Sequence, residues 1–257
     1  MCELLGISAK NRIRVDEILK CFFKHSVEQP DGWGMAFLDD GSVSIEKEPK
    51  KAGESAYLKS RLDSRIYTSR MMAHIRKATM GDVNFDNTHP FIERDESGRT
   101  WVLVHNGTVF DAPGLSPYQY RQKGGTDSER ILLYIVDQVN KRFLCDLNSF
   151  DVNERLQLID EIVVRLSDGN KINIMLYDGE YFYVHKNEEG SLYRRERADY
   201  VLFSTRPLTD DGWEEVEQNR LLVYKDGKRV YAGTKHENTY VFDEEHMKLM
   251  YLNYSGL

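Results

Sequence analysis

The sequence predicts an α+β layered domain. Short apolar runs rich in β-branched and aromatic residues, typical of strands, lie toward both ends of the chain, and stretches with helical periodicity gather between them. Asp-Gly pairs separate several neighbouring runs, and this pair favours a hairpin because its turn needs positive φ at residues with little steric penalty. Periodicity alone leaves open whether the strands form one sheet or two.

The strand candidates follow one another along the whole chain. In order they are Glu3–Ile7, Gly34–Leu38, Val43–Ile45, Met71–Ile75, Trp101–Val104, Lys171–Tyr177, Glu180–His185, Tyr200–Ser204, Leu221–Lys225, Arg229–Ala232 and Thr239–Phe242. The predicted hairpin turns are Asp39-Asp40-Gly41, Asp178-Gly179 and Asp226-Gly227.

Three stretches have helical periodicity, with apolar residues on one side: Val15–Phe23, Asp127–Lys141 and Asn153–Leu166. Thr126 or Asp127 is placed to cap the second helix, and Asp151 or Asn153 to cap the third.

Composition narrows the function classes. The 257 residues fit one domain spanning 1–257, and the net charge of −7 without a Lys/Arg cluster argues against a nucleic-acid surface. No apolar run is long enough for a membrane span, and the N-terminus lacks the charge order of a secretory signal. Three widely spaced cysteines fit a reducing cytoplasm. Without a CxxC pair or HExxH motif we expect no metal, and nothing indicates a cofactor.

Cys2 is the first candidate for chemistry. Removal of Met1 is expected when the second residue is small, and the chain would then begin with a nucleophile and a base in one residue. The α-amine, with an ordinary pKa near ~8, can take the proton of a thiol whose ordinary pKa is near ~8.5. The alternative interpretation is a structural cysteine on a first strand. Retention of Met1 would place the amine in a peptide bond and remove the base.

Three further motifs offer groups for binding and for charge stabilisation. After Met72–Ile75 come Arg76, suited to a carboxylate, and Thr79, a hydroxyl donor. In His105-Asn106-Gly107, the Asn106 amide and the Gly107 N–H could form an oxyanion hole. At Thr126–Glu129, Asp127 could bind an ammonium group. The ordinary structural alternatives are a surface ion pair, a turn and a helix cap.

In this order the motifs resemble those of the N-terminal-nucleophile glutaminase domain of class II glutamine amidotransferases. The resemblance rests on Cys2, Asp31–Gly34, His74–Thr79, Asn87–Phe91, His105–Gly107 and Thr126–Glu129. The later segment Ser204–Leu208 is similar to that of the short, stand-alone members. The resemblance implies a four-layer αββα sandwich.

The resemblance also implies residue roles. Cys2 is the expected nucleophile, and Asn106 and Gly107 the oxyanion hole. Arg76 and Thr79 are expected to hold the α-carboxylate of glutamine, and Asp127 its α-amine. Asp31 and His89 are expected to shape the site, whereas His74 and His105 are expected to be packed scaffold, and Cys21 and Cys145 inert.

The expected reaction is cleavage of the γ-amide of glutamine through a γ-glutamyl thioester, with the ammonia passed to a separate synthase. The alternatives left open are a γ-glutamyl hydrolase acting on a larger metabolite or peptide, and a non-catalytic descendant that binds a metabolite or a partner. Segment 110–125 is expected to border the site and to influence the leaving group. A symmetric homodimer is the default expectation for the assembly.

Overall fold

The computed structural model describes residues 2–39, 41–145 and 150–243. Its strands, in chain order, are β1 (Glu3–Arg14), β2 (Trp33–Phe37), β3 (Ser44–Glu48), β4 (Tyr67–Ile75), β5 (Phe91–Arg94), β6 (Thr100–His105), β7 (Ile174–Tyr177), β8 (Phe182–His185), β9 (Tyr193–Glu196), β10 (Tyr200–Ser204), β11 (Glu214–Glu215), β12 (Leu222–Lys225) and β13 (Lys228–Ala232). Its α-helices are α1 (Asp16–Lys24), α2 (Ala56–Leu62), α3 (Asp127–Cys145) and α4 (Val152–Leu166). Three 3-10 segments are His25–Val27, Ala52–Glu54 and Pro113–Tyr120.

The strands form two antiparallel sheets, which resolves the choice that periodicity left open. The first sheet has the order β11-β9-β10-β1-β4-β2-β3, and the second has the order β13-β12-β8-β7-β6-β5. Alternate residues of each strand face opposite sides of its sheet, so both faces need cover.

Three apolar clusters divide the molecule into four layers. One packs α1 and α2 on the outer face of the first sheet, with Leu5, Leu19 and Leu58 among its members. The second fills the space between the sheets and includes Leu4. The third packs α3 and α4 on the second sheet and includes Ile131. The α+β class and the αββα sandwich are therefore confirmed.

The centre of the first sheet is β1, which pairs with β10 and β4. Gly6 lies where the sheets approach closely, since a Cβ there would be 2.5 Å from the sulfur of Met175. The register sets Glu3 opposite Ile75, the last residue of β4. Cys2 is consequently delivered to the segment that follows β4.

The local signals for turns and caps are mostly confirmed. Asp226 and Gly227 have φ values of 51° and 77° between β12 and β13, and Gly179 has a φ of 90° between β7 and β8. The Asp151 carboxylate accepts hydrogen bonds from the N–H groups of Asn153 and Glu154 and caps α4. Asp40, in the third predicted turn, lies outside the described residues.

Other expectations are corrected. The stretch predicted as a strand at Thr239–Phe242 is an irregular segment, whose Tyr240 N–H donates to the carbonyl oxygen of Asn187. Helix α2 was missed because its sequence is short and its cap, Ser55, accepts from the N–H of Leu58 only once the preceding turn has formed. The short strands β5, β9 and β11 were also missed, since pairing rather than propensity decides such strands.

Candidate active site

Cys2 lies just before β1 and faces the segment after β4. Its sulfur is 3.4 Å from both the amide nitrogen and the carbonyl oxygen of Lys77. Burial raises the pKa of the Cys2 thiol, against the lowering effects of the Lys77 N–H and the Arg76 charge. Such a thiol needs a base before it can attack. Met1, on which the freedom of the Cys2 α-amine depends, lies outside the described residues.

Arg76 is buried and organises the loop that follows it. Its guanidinium donates to the carbonyl oxygens of Met80, Gly81 and Asp82 at 2.8, 2.9 and 2.9 Å. Three of its five N–H donors are used in this way, and two are left for a ligand. Burial lowers the pKa of Arg76. Thr79, the other residue expected at a carboxylate, is half-buried in the same loop.

Asp31 shapes the turn that touches Cys2. Its backbone N–H donates to the Arg76 carbonyl oxygen at 3.1 Å, and its carboxylate accepts from the N–H of Ala78 at 2.8 Å. Both ends of the turn at residues 76–78 are thus fixed by one acidic residue. The family motif that contains Asp31 therefore has a local structural function.

Asn106 and Gly107 follow the end of β6. The Asn106 N–H donates to the carbonyl oxygen of Asn173 at 2.9 Å. Within the described ranges, the Gly107 N–H donates to no backbone carbonyl, so it is free to meet a ligand. Only glycine fits here, because a Cβ would lie 2.0 Å from the carbonyl oxygen of Lys171. This segment is not a hairpin turn but a close approach of two backbones.

Asp127 is the first residue of α3, and its side chain does not cap that helix. The cap contact comes from Thr126, whose hydroxyl oxygen accepts from the Glu129 N–H at 3.3 Å. The Asp127 carboxylate accepts from the N–H groups of Val109 and Ser128, both at 2.8 Å. Asp127 thereby joins α3 to the loop that carries Gly107.

Three buried histidines lie behind these groups. The rings of His74 and His89 stack with centroids 4.0 Å apart, and His74 Nε2 is 3.2 Å from the His105 carbonyl oxygen. His105 bridges the Lys171 carbonyl oxygen at 3.1 Å and the Ser128 hydroxyl at 2.9 Å. Burial lowers the pKa of all three, that of His74 to about 3. Burial thus makes each of these imidazoles a weaker base than an exposed histidine.

Several residues near the site were given no role from the sequence, although Asn87 begins one of the motifs that carry the resemblance. Asn87 ties the Arg76 loop to the head of α3, since its amide donates to the Asp82 carbonyl oxygen and accepts from the Gly125 N–H. Glu3 is buried directly after Cys2. Lys171 is buried against Glu188, with 2.5 Å between the charged atoms. For Glu3 and Lys171, the signal available in the sequence was a charged residue within a predicted apolar strand.

A cavity of about 240 Å³ opens beside Asp127. Its other lining residues are Val109, Phe110, Asp111, Ala112, Pro113, Leu115, Ser116 and Arg130. Most of them belong to the segment expected to border the site. Part of segment 110–125 therefore lies beside Asp127, one of the residues expected to bind the substrate.

Features that would indicate other chemistry are not found in the described part of the chain. No group of three or more His, Cys, Asp or Glu side chains there could hold a metal ion. None of the helices described is long and apolar enough to cross a membrane. Cys21 and Cys145 are free cysteines outside the site.

Comparison with known proteins gives one consistent family. The model of the class II glutamine amidotransferases matches residues 1–197. An uncharacterized protein of Methanocaldococcus jannaschii is 30% identical, over 91% of this chain and 72% of that protein. A putative glutamine amidotransferase of Haemophilus influenzae is 26% identical, over 90% of this chain and 86% of that protein. The gamma-glutamyl-hercynylcysteine sulfoxide hydrolase of Mycolicibacterium smegmatis is 23% identical, over 80% and 83%.

Solved structures agree in fold. A predicted glutamine amidotransferase from Pseudomonas aeruginosa has a TM-score of 0.63 at 22% identity, covering 90% of this chain and 100% of that one. The glutamine phosphoribosylpyrophosphate amidotransferase of B. subtilis has a TM-score of 0.65 at 18% identity, covering 93% and 50%. At these identities the likeness concerns the fold alone.

Proposed function

This chain belongs to the class II glutamine amidotransferases, and from that premise we propose that it hydrolyses the γ-amide of glutamine, with Cys2 as the nucleophile. The observation that carries the proposal is the position of the Cys2 thiol, whose sulfur lies 3.4 Å from the backbone of Lys77, the residue directly after buried Arg76. The positive charge of Arg76 and the negative charge of Asp127 both act on the thiol. A γ-glutamyl compound carries a carboxylate and an ammonium group at the end remote from its amide. The charge of Arg76 complements the carboxylate, and the charge of Asp127 complements the ammonium group.

The first step of the proposed mechanism is activation of the thiol. Removal of Met1 frees the α-amine of Cys2, which takes the thiol proton directly or through water. The raised pKa of the buried thiol makes this base necessary. The three nearby histidines are poor candidates for it, because burial holds their pKa values below the ordinary range.

The thiolate then attacks the γ-carbonyl carbon, and negative charge develops on the carbonyl oxygen. The Gly107 N–H and the Asn106 carboxamide are the proposed donors to that oxygen, each worth about 3–4 kcal/mol when preorganised. The protonated amine gives its proton to the leaving nitrogen, and ammonia departs from the γ-glutamyl thioester. Water then hydrolyses the thioester to release glutamate and the free thiol.

Residues of opposite charge are proposed to recognise the two charged groups of the substrate. Arg76 and Thr79 are proposed to hold the α-carboxylate, and Asp127 the α-ammonium group. The three carbonyl contacts of Arg76 hold its guanidinium plane in place before substrate arrives, which reduces the entropy lost on binding. Asp31 and His89 are proposed to shape the site without reacting.

A second candidate function differs only in the leaving group. A cavity of about 240 Å³ opens beside Asp127, and the mycobacterial relative is named as a γ-glutamyl compound hydrolase. The same nucleophile and glutamyl pocket would then cleave a larger γ-glutamyl metabolite or peptide. If glutamine is the substrate, the ammonia is released into solution or passed to a separate synthase.

The test measures intact mass and glutamate release from glutamine and from γ-glutamyl dipeptides. Wild type, Cys2→Ala and Cys21→Ala are compared, the last being a matched removal of a half-buried cysteine in α1. We expect a mature chain that begins at Cys2, with release lost in Cys2→Ala and retained in Cys21→Ala. The preferred substrate then decides between the two candidates. A processed chain that releases no glutamate from any of them contradicts the proposal and favours a non-catalytic descendant.

A further inference from the structure

The residue that follows Cys2 is a buried carboxylate. Glu3 is only 2% exposed, and its carboxylate lies 2.6 Å from His25 Nδ1 and 2.8 Å from the Arg206 guanidinium. Gln29 donates to the same carboxylate at 3.4 Å. A carboxylate at this depth is costly to bury unless it is paired, and these partners offset that cost.

The turn that follows β10 contacts the start of β1 through two neighbouring residues, Thr205 and Arg206. The Thr205 N–H donates to the Leu4 carbonyl oxygen at 3.1 Å, and the Leu4 N–H donates to the Thr205 hydroxyl at 3.4 Å. Arg206 binds Glu3 and also binds Glu28, at 2.8 Å. Thr205 and Arg206, here called the 205–206 clamp, lie beyond the residues matched by the family model.

We propose that the 205–206 clamp is a positioning device for Cys2, in which Arg206 acts through Glu3 to fix the nucleophile and to set the basicity of its α-amine. The inference rests on the proposed function, since the amine matters only if it is the base. Neither clamp residue contacts the reacting atoms. Arg206 binds the carboxylate of Glu3, the residue bonded directly to Cys2, and the Thr205 hydroxyl donates to the same carboxylate at 3.4 Å.

The electrostatic argument concerns the charges around this end of β1. Glu3 faces His25 from the 3-10 segment and Arg206 from the clamp, and Arg206 in turn faces Glu28. Among the described residues, Arg76, Asp127 and Lys171 carry charges that interact electrostatically with the Cys2 thiol.

The Cys2 amine is one residue from Glu3, so an unpaired Glu3 carboxylate would stabilise the ammonium form and leave less free amine to act as the base at a given pH. Arg206 offsets that effect. A neighbouring charge in partly solvated surroundings shifts a pKa by about half a unit to one unit.

The experiment compares kcat for glutamate release against pH in Arg206→Gln, Glu3→Gln and Arg206→Lys. Arg206→Gln leaves the carboxylate underpaired, so the rising limb moves to higher pH by about half a unit to one unit, and kcat below the limb falls about three- to tenfold. Glu3→Gln removes the carboxylate but leaves the positive charge of Arg206, which disfavours the ammonium form, so the rising limb moves to lower pH. Arg206→Lys keeps the charge and returns the limb toward its wild-type position. KM for glutamine stays near the wild-type value in all three, because none of these residues holds the glutamyl group.

Arg195→Gln is the matched control, because Arg195 forms an ion pair with an exposed partner, Asp211, at 3.1 Å. It is expected to keep the wild-type pH profile. A purely structural clamp would lower activity or melting temperature without moving the limb. An unmoved limb in Arg206→Gln, or shifts of the same sign in Arg206→Gln and Glu3→Gln, overturns the inference. If Glu3→Gln does not fold, the comparison of Arg206→Gln with Arg206→Lys decides. Glutamate release that persists in Cys2→Ala would instead overturn the proposed function.

Discussion

The Gly107→Ala substitution tests the proposed oxyanion hole most directly. A Cβ at this position would lie 2.0 Å from the Lys171 carbonyl oxygen and 2.3 Å from His105 Nε2. An ordinary contact needs about 3.4 Å or more, so the two backbones must separate by more than about 1 Å. A donor displaced by about 1 Å from its acceptor costs on the order of 10²-fold in rate, and loss of one oxyanion donor costs about 10²–10³-fold.

We therefore expect kcat for glutamate release to fall by about 10²–10³-fold in Gly107→Ala, with a smaller change in KM. The assay is steady-state glutamate release, accompanied by a thermal melt to separate local displacement from unfolding. Gly53→Ala is the control, since a Cβ there would meet nothing within 4 Å and the residue lies in a 3-10 segment away from the site. A folded Gly107→Ala protein with kcat within about threefold of wild type would refute the reasoning.

Three further predictions concern recognition, stability and pH. Asp127→Asn should raise KM for glutamine by about 10- to 100-fold while changing little for an analogue without the α-amine; equal losses for both compounds would argue against an ammonium site. Asp178→Asn should destabilise the fold by about 3–5 kcal/mol in denaturant titrations, because it leaves buried Arg155 without its 2.8 Å partner, whereas Asp211→Asn at the surface should cost at most about 1 kcal/mol. Burial lowers the pKa of His74 and of His185 to about 3, so the unfolded chain takes up protons first as the pH falls. The free energy of unfolding should then drop by about 1.4 kcal/mol per pH unit for each from about pH 6.5 downward, and an unchanged slope in His185→Gln would contradict this.

The sequence predicted the parts of the molecule that local physics controls. Asp226-Gly227 makes a tight hairpin because these residues tolerate positive φ, and Asp151 caps α4 because its carboxylate reaches the first free N–H groups. Helices α3 and α4 were predicted because each buries a continuous apolar stripe. The family was predicted for a different reason, namely the order of short motifs from Cys2 to Glu129.

Elements without a local signal were predicted poorly. Thr239–Phe242 is composed like a strand, yet its backbone binds Asn187 instead of joining a sheet. Strand propensity indicates which conformation a segment favours, whereas the strands available for pairing in the fold decide which conformation it adopts.

By itself, then, the sequence determined the α+β class, the family and the residues proposed for the chemistry, because residue type and motif order are local and readable. Only the tertiary structure decided how those residues meet. Cys2 lies against Lys77, 75 positions away, and Asp127 binds the N–H of Val109. Glu3 binds Arg206, which follows the neighbouring strand β10 and lies about 200 positions later in the chain. These contacts arise from strand pairing across β4, β1 and β10 and from the burial that forces charged groups to find partners, and neither is encoded within any one segment.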